Sequence, residues 1–305
     1  MKLWFRNGYC PCFVVAAILL VPMSANAQRA YQTPEEAVTT LADAIKSGST
    51  REITRVLGAE AEGIIFSGDD VADREARKRF VEAYDARHKA VVEGDKANLV
   101  IGNDDFPFPI PLIRQKAAWK FDTTAGRLEI LYRRIGRNEL DAIQTCLAYV
   151  DAQNEYAEKD RGAGIGVYAE RIVSAAGKKN GLYWPESDGD PSPIGAFVAQ
   201  ATAEGYKAGE RPTPYHGYYY RILTRQGPYA PGGTLNYIVK GKMIGGFGLL
   251  AYPAAYGNSG VMTFVVNHAG TVYQKDLGDY ATSRARWIEW FNPDQTWKKV
   301  NATAP

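Results

Sequence analysis

The hydrophobic pattern of this chain changes period twice, and this alternation limits the folds that the chain can adopt. Apolar residues follow a helical spacing from Val38 to Val92, and a strand-like spacing from Asn98 to Tyr132. A second helical stretch begins at Asn138, and strand-like runs return from Tyr215 onward. Helices followed by strands, twice over, predict an α+β fold in which each half packs helices on an antiparallel sheet.

The first half is predicted to hold three helices and then a meander. Thr33-Pro34-Glu35-Glu36 has the composition of a helix start, with a capping threonine, a proline in the first turn and a glutamate that completes a capping box. The third helix is expected from Asp73 to Val92, with Phe80, Tyr84 and His88 on one side. Thr123 to Gly126 is predicted to be a turn within the meander. The expected strands are Asn98–Ile101, Phe106–Ile113, Lys116–Phe121 and Arg127–Tyr132.

The second half is predicted to begin with a helix at Asn138 whose apolar residues recur through Val150. Asn267 to Gly270 has the residues of a hairpin turn, and a short last helix is expected near Ser283 to Phe291. The expected strands are Tyr218–Leu223, Asn236–Val239, Met243–Tyr252, Val261–Asn267 and Thr271–Asp276.

The first 27 residues have the three parts of a secretory leader. Lys2 and Arg6 precede an apolar run from Phe13 to Val21, and Ala25-Asn26-Ala27 provides small residues for cleavage before Gln28. The run is shorter than the roughly 20 residues of a spanning helix. We therefore expect a periplasmic or secreted protein without a stable membrane span. The predicted organisation is a leader at 1–27, two domains at 28–135 and 136–300, and a flexible end at 301–305.

Charge and cysteine content argue against a nucleic-acid-binding protein and against a protein stabilised by disulfides. Loss of Lys2 and Arg6 with the leader takes the formal charge from +2 to 0, and the basic stretch from Arg74 to Lys89 is interleaved with acidic residues. A nucleic-acid partner is therefore not expected. Cys146 is the one cysteine after the leader, so the fold relies on packing without an intramolecular disulfide, and Cys146 itself is expected to be buried.

No motif of this sequence identifies a reaction. The spacing of His88, His216 and His268 fits no metal site, and neither a nucleophile elbow nor a nucleotide-binding loop occurs. We therefore expect no metal and no cofactor. Whether the protein is an enzyme stays open at this point.

The densest group of functional candidates is Tyr215-His-Gly-Tyr-Tyr-Tyr-Arg221. In a strand, Tyr218 and Tyr220 share one face, while Tyr219 and Arg221 share the other. Tyrosines combine a large contact area with a polar tip, which suits recognition of a peptide, a glycan or an aromatic ligand. The alternative is cross-strand packing inside the sheet. The candidate binding residues are Tyr215, His216, Tyr218, Tyr220, Arg221 and His268.

Several segments carry a family resemblance: Trp119 to Asp122, Arg134 to Glu139, Tyr215 to Ile222, and Tyr256 to Asp276. Together they resemble the bacterial exported family known as domain of unknown function 2950. The resemblance covers nearly the whole chain after the leader. It implies no activity, since none is assigned to that family.

Two further resemblances concern shape. The order Asn138-Glu139, then Gly217 to Arg221, then Asn267 to Val272 is similar to the globular part of type IV pilins and pseudopilins. The residues before Asn138 lack the apolar helix of pilins, so assembly into a filament is not implied. The first half resembles the transport-factor and cystatin-like folds, which host both enzymes and binding proteins.

Two hypotheses of function follow. The first is a non-catalytic exported protein that binds a protein, peptide or glycan of the cell envelope through the Tyr215 to Arg221 segment. The second is an exported hydrolase or small-molecule enzyme that uses His216, with His268 as a second polar group.

Overall fold

The computed structural model describes residues 28–185, 189–207 and 213–301. The predicted leader and residues 302–305 therefore lie outside the described residues. The helices are α1 (Pro34–Ser47), α2 (Thr50–Leu57), α3 (Glu62–Ile65), α4 (Asp70–Ala86), α5 (Thr123–Ala157), α6 (Gly195–Ala203) and α7 (Ala281–Ala285). The strands of the first half are β1 (His88–Glu93), β2 (Lys96–Ile101), β3 (Phe106–Pro107), β4 (Leu112–Gln115) and β5 (Ala118–Phe121).

The second half contains the remaining nine strands of the described chain. They are β6 (Tyr218–Leu223), β7 (Arg225–Gln226), β8 (Leu235–Asn236), β9 (Ile238–Val239), β10 (Lys242–Met243), β11 (Gly248–Pro253), β12 (Met262–Asn267), β13 (Tyr273–Asp276) and β14 (Lys298–Lys299).

The first helix begins as its sequence predicts. The hydroxyl of Thr33 accepts from the backbone N–H of Glu36 at 3.1 Å, and Pro34 occupies the first turn. The Glu36 carboxylate accepts from the backbone N–H of Gln32 at 3.0 Å, which satisfies a second free donor at this end. The helix ends at Gly48, whose φ of 67° closes the last turn.

The first sheet is antiparallel, with the order β1-β2-β4-β5 and with β3 also paired to β2. Its buried face meets α1 and α2 in one core that includes Leu41, Leu99 and Leu112. The third predicted helix is too long, because α4 ends at Ala86 and the chain turns into β1 at His88. The β-branched pair Val91-Val92 and the turn at Gly94 (φ 63°) favour this hairpin over a continued helix.

The largest difference from the sequence prediction is α5. Residues 127–132, predicted as a strand, and the predicted turn before them are both helical, and the helix runs through to Ala157 without a break. Asp122 caps its start by accepting from the backbone N–H of Ala125 at 3.1 Å. The helix therefore crosses the predicted domain boundary at 135/136, and one helix contributes to both halves.

The second sheet has the order β14-β13-β12-β11-β6, antiparallel throughout. One face packs on α5 through residues such as Leu249, Phe264 and Val266. The opposite face packs on α7 and the segment around Phe291, through residues such as Leu250 and Val265. The predicted hairpin turn is present, with the backbone N–H of Gly270 donating to the Asn267 carbonyl at 2.8 Å.

The two halves thus form an α+β protein in which sheets and helices pack face to face, as the sequence predicts. Polar contacts tie the halves together beside α5. The Arg134 guanidinium donates to the Asn258 side chain at 2.5 Å and to the carbonyl of Ile64, and the Asn258 amide donates to the Phe66 carbonyl at 2.6 Å. Within residues 28–301 as far as the structure describes them, no helix combines the length and hydrophobicity needed to cross a membrane.

Candidate functional site

A pocket of about 270 Å³ lies between α6, the middle of α5 and the edge strand β6. We call it the α6 pocket. Among the described residues that line it, Lys207 alone carries a formal charge, and the others are apolar, tyrosine, alanine, proline or threonine. This volume is slightly below the ~300–1,000 Å³ typical of small-molecule sites. The main apolar lining residues are Tyr149, Ile172, Leu182, Phe197, Val198 and Leu249.

Helix α6 forms the outer wall of the pocket and is attached weakly by packing. None of its side chains is fully buried, and no side chain caps its start at Ile194. Phe197 contacts the ring of Tyr215, with 5.1 Å between ring centroids. The position of α6 therefore depends on polar contacts that follow its last turn.

The strongest of these contacts surround His216. Its Nδ1 lies 2.8 Å from Oδ2 of Asp141 on α5, and its Nε2 lies 2.7 Å from Oε2 of Glu204 at the end of α6. When both carboxylates are ionised, their oxygens only accept hydrogen bonds, so both ring nitrogens of His216 donate and the ring is an imidazolium. We call Asp141, His216 and Glu204 the His216 clamp.

Burial lowers the pKa of His216, but the hydrogen bonds and negative charges of Asp141 and Glu204 outweigh it, so the pKa is raised above its ordinary value. The side chain is 22% exposed, so the clamp lies at the surface edge of the pocket and not within its core. With both nitrogens engaged, His216 holds α6 against α5 and presents no free nitrogen to a substrate.

Asp69 attaches the same region to the first half of the protein. One carboxylate oxygen caps α4 by accepting from the backbone N–H groups of Val71 and Ala72 at 3.1 and 3.0 Å. The other accepts from the Tyr206 hydroxyl and from the backbone N–H of Gly217, each at 2.9 Å. This buried carboxylate therefore positions both α6 and the start of β6.

The backbone at the clamp is held in an uncommon conformation. His216 has a φ of 48°, in the left-handed region that non-glycine residues seldom adopt. Gly217 follows with a φ of 75°, and a Cβ there would lie 2.5 Å from Nδ2 of Asn138. Two successive left-handed residues turn the chain so that the His216 ring faces the two carboxylates. Position 217 therefore requires glycine, both for its positive φ and because a Cβ would clash with Asn138.

Tyr215 connects the clamp to the pocket. Its ring stacks on His216 with centroids 4.1 Å apart and an angle of 18° between planes, and it meets Tyr206 edge to face at 4.8 Å. An imidazolium against an aromatic face is a favourable cation–π pair. Burial, followed by the charges of Glu204 and Asp141, raises the pKa of Tyr215. One side of this ring lines the α6 pocket.

The three other candidates on β6 have separate roles. Tyr218 is fully buried, and its hydroxyl donates to the Met262 carbonyl at 2.9 Å, so it belongs to the core. Tyr220 lines the pocket, and within the described chain its buried hydroxyl has no hydrogen-bond partner. Arg221 lies on the other face. Its guanidinium donates to the carbonyls of Ala285, Arg286 and Ile288, which lie at the C-terminal end of α7 and just after it.

Comparison with known proteins identifies the family of this chain. The model of the family described as "Protein of unknown function (DUF2950)" matches residues 28–300. The chain belongs to this family. No curated protein and no solved structure matches this DUF2950 protein. The pilin-like and cystatin-like resemblances therefore stay predictions.

His216 and His268 of this DUF2950 protein are not brought together. His216 precedes the end of β6 that pairs with Pro253, whereas His268 follows Asn267, which pairs with Gly248. The two histidines thus flank opposite ends of β11, a strand that is roughly 17 Å long at ~3.3 Å per residue. His268 instead packs beside Tyr237 and Phe247, and burial lowers its pKa.

The remaining candidates of the DUF2950 chain are packing residues. His88 stacks on Tyr84 with centroids 3.8 Å apart, as the helical spacing predicted, although His88 itself begins β1. Cys146 is fully buried, which raises the pKa of its thiol to about 12. In the part of the chain that the structure describes, no three His, Cys, Asp or Glu side chains are grouped to hold a metal ion.

Sequence reasoning identified Tyr215 and His216 but missed the residues that define their role. In sequence, Asp69 lies 148 residues before its partner Gly217. Asp141 lies 75 residues and Glu204 lies 12 residues before their partner His216. Ser67 to Asp70 has the composition of a turn, and nothing in that local pattern reveals the contact of Asp69 with Gly217.

Proposed function

We propose that this DUF2950 protein is an exported, non-catalytic binding protein whose α6 pocket holds a small apolar molecule or the apolar end of a larger one. The observation that carries the proposal is the lining of the pocket, which combines aromatic and aliphatic walls with a single charged residue, Lys207. Such walls favour burial of apolar surface, worth ~25 cal/mol per Å².

The polar contacts around the pocket support binding more than catalysis. Among the described lining residues there is no histidine, carboxylate or cysteine. His216 lies beside the pocket, but Asp141 and Glu204 occupy both of its ring nitrogens. A general base must reach the proton that it removes. The alternative of a hydrolase using His216 therefore requires Glu204 to leave Nε2 when a substrate binds.

Binding can be tested with the neutral fluorophore N-phenyl-1-naphthylamine and the purified chain from Gln28. We expect saturable fluorescence enhancement with one site per chain. Val198→Trp places an indole in the pocket and should weaken dye binding at least ~10-fold, which corresponds to ~1.4 kcal/mol. Val239→Trp is the matched control, because Val239 is exposed and lies outside the pocket.

Two outcomes would contradict the pocket. The first is equal dye binding by Val198→Trp and Val239→Trp when both variants have the wild-type circular dichroism spectrum. The second is hydrolysis of a panel of esters, amides and phosphoesters that is lost in His216→Asn, which would favour the enzyme.

Export is the second part of the proposal. The predicted leader ends at Ala27, and the family model begins at residue 28. Expression of the full chain in a Gram-negative host should give mature protein that starts at Gln28 in the periplasmic or culture fraction. Uncleaved chain in the membrane fraction would overturn the proposal of a soluble exported protein.

A further inference from the structure

A second concave site lies on the opposite face of the second sheet from α5. It is a groove of about 380 Å³ whose floor includes Val265 and Ile288. Three of the six tryptophans of the chain line it, which is an unusual concentration for one surface. Trp287 is 84% exposed and Trp290 is 38% exposed. The residues that define this tryptophan groove are Lys275, Trp287, Glu289, Trp290, Asn292 and Trp297.

Two of the indole rings are held in place by cations. The guanidinium of Arg225 lies 4.4 Å from the centre of the Trp290 ring, and Glu289 fixes that guanidinium at 2.6 Å. Arg225 does not line the groove, so it supports Trp290 from outside. The ammonium of Lys275 lies 5.9 Å from the Trp297 ring and donates to the Thr296 hydroxyl at 2.6 Å. Rings fixed in this way lose little conformational entropy on binding a ligand.

The free polar groups of the groove are predominantly donors. In the described chain none of the indole N–H groups of Trp287, Trp290 and Trp297 donates to a protein acceptor. The Asn292 oxygen accepts from the backbone N–H of Tyr229 at 2.8 Å, which leaves its NH₂ group for a ligand. The one carboxylate is that of Glu289, whose Oε2 is paired with Arg225 and whose other oxygen is the remaining side-chain acceptor among the described lining residues.

We propose that the tryptophan groove binds a proline-rich, extended segment of another protein. In the polyproline II conformation the backbone makes no internal hydrogen bonds, so its carbonyls are free to accept, and proline has no N–H to satisfy. Flat pyrrolidine rings pack on aromatic faces, and the conformation is ordered before binding. This segment thus complements a surface of ring faces and hydrogen-bond donors.

A glycan fits the same rings less well. Every sugar hydroxyl brings a donor as well as an acceptor. Against a surface of donors only the acceptor half of each hydroxyl is used, whereas each free carbonyl of a polyproline II segment is an acceptor alone. The peptide is therefore favoured by the hydrogen-bonding character of the groove, and this site goes beyond the ligand of the α6 pocket.

The test follows the indole N–H resonances of the ¹⁵N-labelled chain from Gln28 by NMR. The probe is acetylated decaproline amide, and a Gly-Ser decapeptide of the same length is the control. We expect decaproline to shift the resonances of Trp287, Trp290 and Trp297. Those of Trp119 and Trp184, which are both buried, should stay in place and serve as internal controls.

Variants separate ring stacking from hydrogen bonding. Trp287→Ala should weaken decaproline binding at least ~10-fold, and Trp290→Phe, which keeps a ring but loses the N–H, about 5-fold. Tyr280→Ala removes an aromatic side chain that is 70% exposed and lies outside the groove, so it should change affinity less than twofold. Dye binding in the α6 pocket should be the same in all three variants.

Three results would overturn the proposal. One is that chitohexaose shifts the groove resonances and decaproline does not, which identifies a glycan site. Another is that the groove resonances move with protein concentration alone, which identifies a contact between copies of the chain. The third is that decaproline binds equally well to wild type and Trp287→Ala.

Discussion

Nε2 of His216 lies 2.7 Å from Oε2 of Glu204, and this contact joins the end of α6 to the turn that begins β6. The opposite ring nitrogen contacts Asp141 on α5 at 2.8 Å. The outer wall of the α6 pocket is therefore attached through an ionisable imidazole whose pKa is raised above its ordinary value by the two carboxylates. Its protonation state should be visible in the stability of the protein.

The first prediction concerns pH. Burial lowers the pKa of His216, but Asp141 and Glu204 raise it by more, so the folded pKa exceeds the unfolded one. A raised pKa gives a stabilisation that is complete below about pH 6.5 and is lost as pH rises through the folded pKa. We expect the free energy of unfolding, measured with urea, to fall above that pH in the wild type.

The control for this prediction is His216→Asn, since asparagine tolerates the left-handed backbone. The difference in free energy of unfolding between wild type and variant should shrink as pH rises. Asp69, Tyr206 and Tyr215 are present in both proteins, whereas Asp141 and Glu204 lose their histidine partner in the variant, so the pH dependence of the difference reports the His216 clamp as a unit. A difference that is constant from pH 6 to pH 9 would show that His216 is not the titrating group.

The second prediction compares two neighbouring carboxylates. Asp69→Asn replaces an oxygen that accepts from Tyr206 and Gly217 with an NH₂ group that faces those same donors. We expect the free energy of unfolding to fall by about 2–3 kcal/mol. Asp70→Asn changes an exposed carboxylate in the same turn and should cost less than about 0.5 kcal/mol. Equal losses in the two variants would mean that Asp69 acts only as a helix cap.

The third prediction uses two tyrosines on one face of β6. The buried Tyr220 hydroxyl makes no hydrogen bond of ordinary geometry among the described residues, although the Thr145 side chain lies close enough to affect its pKa. Tyr220→Phe should therefore raise the free energy of unfolding by about 1 kcal/mol. Tyr218→Phe removes the hydrogen bond to the Met262 carbonyl and should lower it by about 1 kcal/mol. Thermal denaturation of the two variants and the wild type measures both changes in stability, which should have opposite signs. A loss of stability in Tyr220→Phe would show that its hydroxyl has a partner.

Features set by neighbouring residues could be predicted from the sequence. The Thr33 cap and the Asn267 hairpin each depend on a few consecutive residues, and both are present. Strand β6 was predicted with its observed bounds, because alternating tyrosines and aliphatic residues favour a strand whatever its neighbours are. Interactions between residues that are close in sequence determine these elements.

The candidate site could be predicted only in part, because its residues come from distant segments. His216 was identified as unusual among its tyrosines, but the carboxylates that engage it lie on α5 and after α6. Its pairing with His268 belonged to the alternative hypothesis of an enzyme and was based on residue type alone. The register of β6 and β12 on either side of β11 places the two histidines at opposite ends of the sheet. Side-chain chemistry predicts candidates, and the topology decides which of them meet.

Helix α5 shows how a local signal can mislead. Thr123 to Gly126 has the composition of a turn, and the mixed apolar and basic residues after it resemble a strand. In the structure Gly126 is needed for another reason, because the helix lies against the chain at Pro109 and Ile110. A glycine that permits close packing and a glycine that permits a turn look alike in sequence.

The last prediction follows from this distinction and uses two glycines of α5. A Cβ on Gly126 would lie 2.6 Å from Cα of Ile110 and from the carbonyl oxygen of Pro109, whereas a Cβ on Gly136 would have nothing within 4 Å. Gly126→Ala should therefore lower the free energy of unfolding by about 1–3 kcal/mol through overpacking. Gly136→Ala should raise it by about 0.5–1 kcal/mol, because alanine favours a helix interior.

Gly136→Pro then tests whether the helix is continuous at the predicted domain boundary. In an unbroken helix the proline removes a hydrogen bond and clashes with the preceding turn, at a cost of about 3 kcal/mol or more. In a linker it would be tolerated. In urea unfolding, the free energy of unfolding should thus fall in Gly126→Ala, rise in Gly136→Ala and fall strongly in Gly136→Pro. If Gly136→Pro unfolds like the wild type, the two halves are joined by a flexible linker and α5 does not transmit the position of one half to the other.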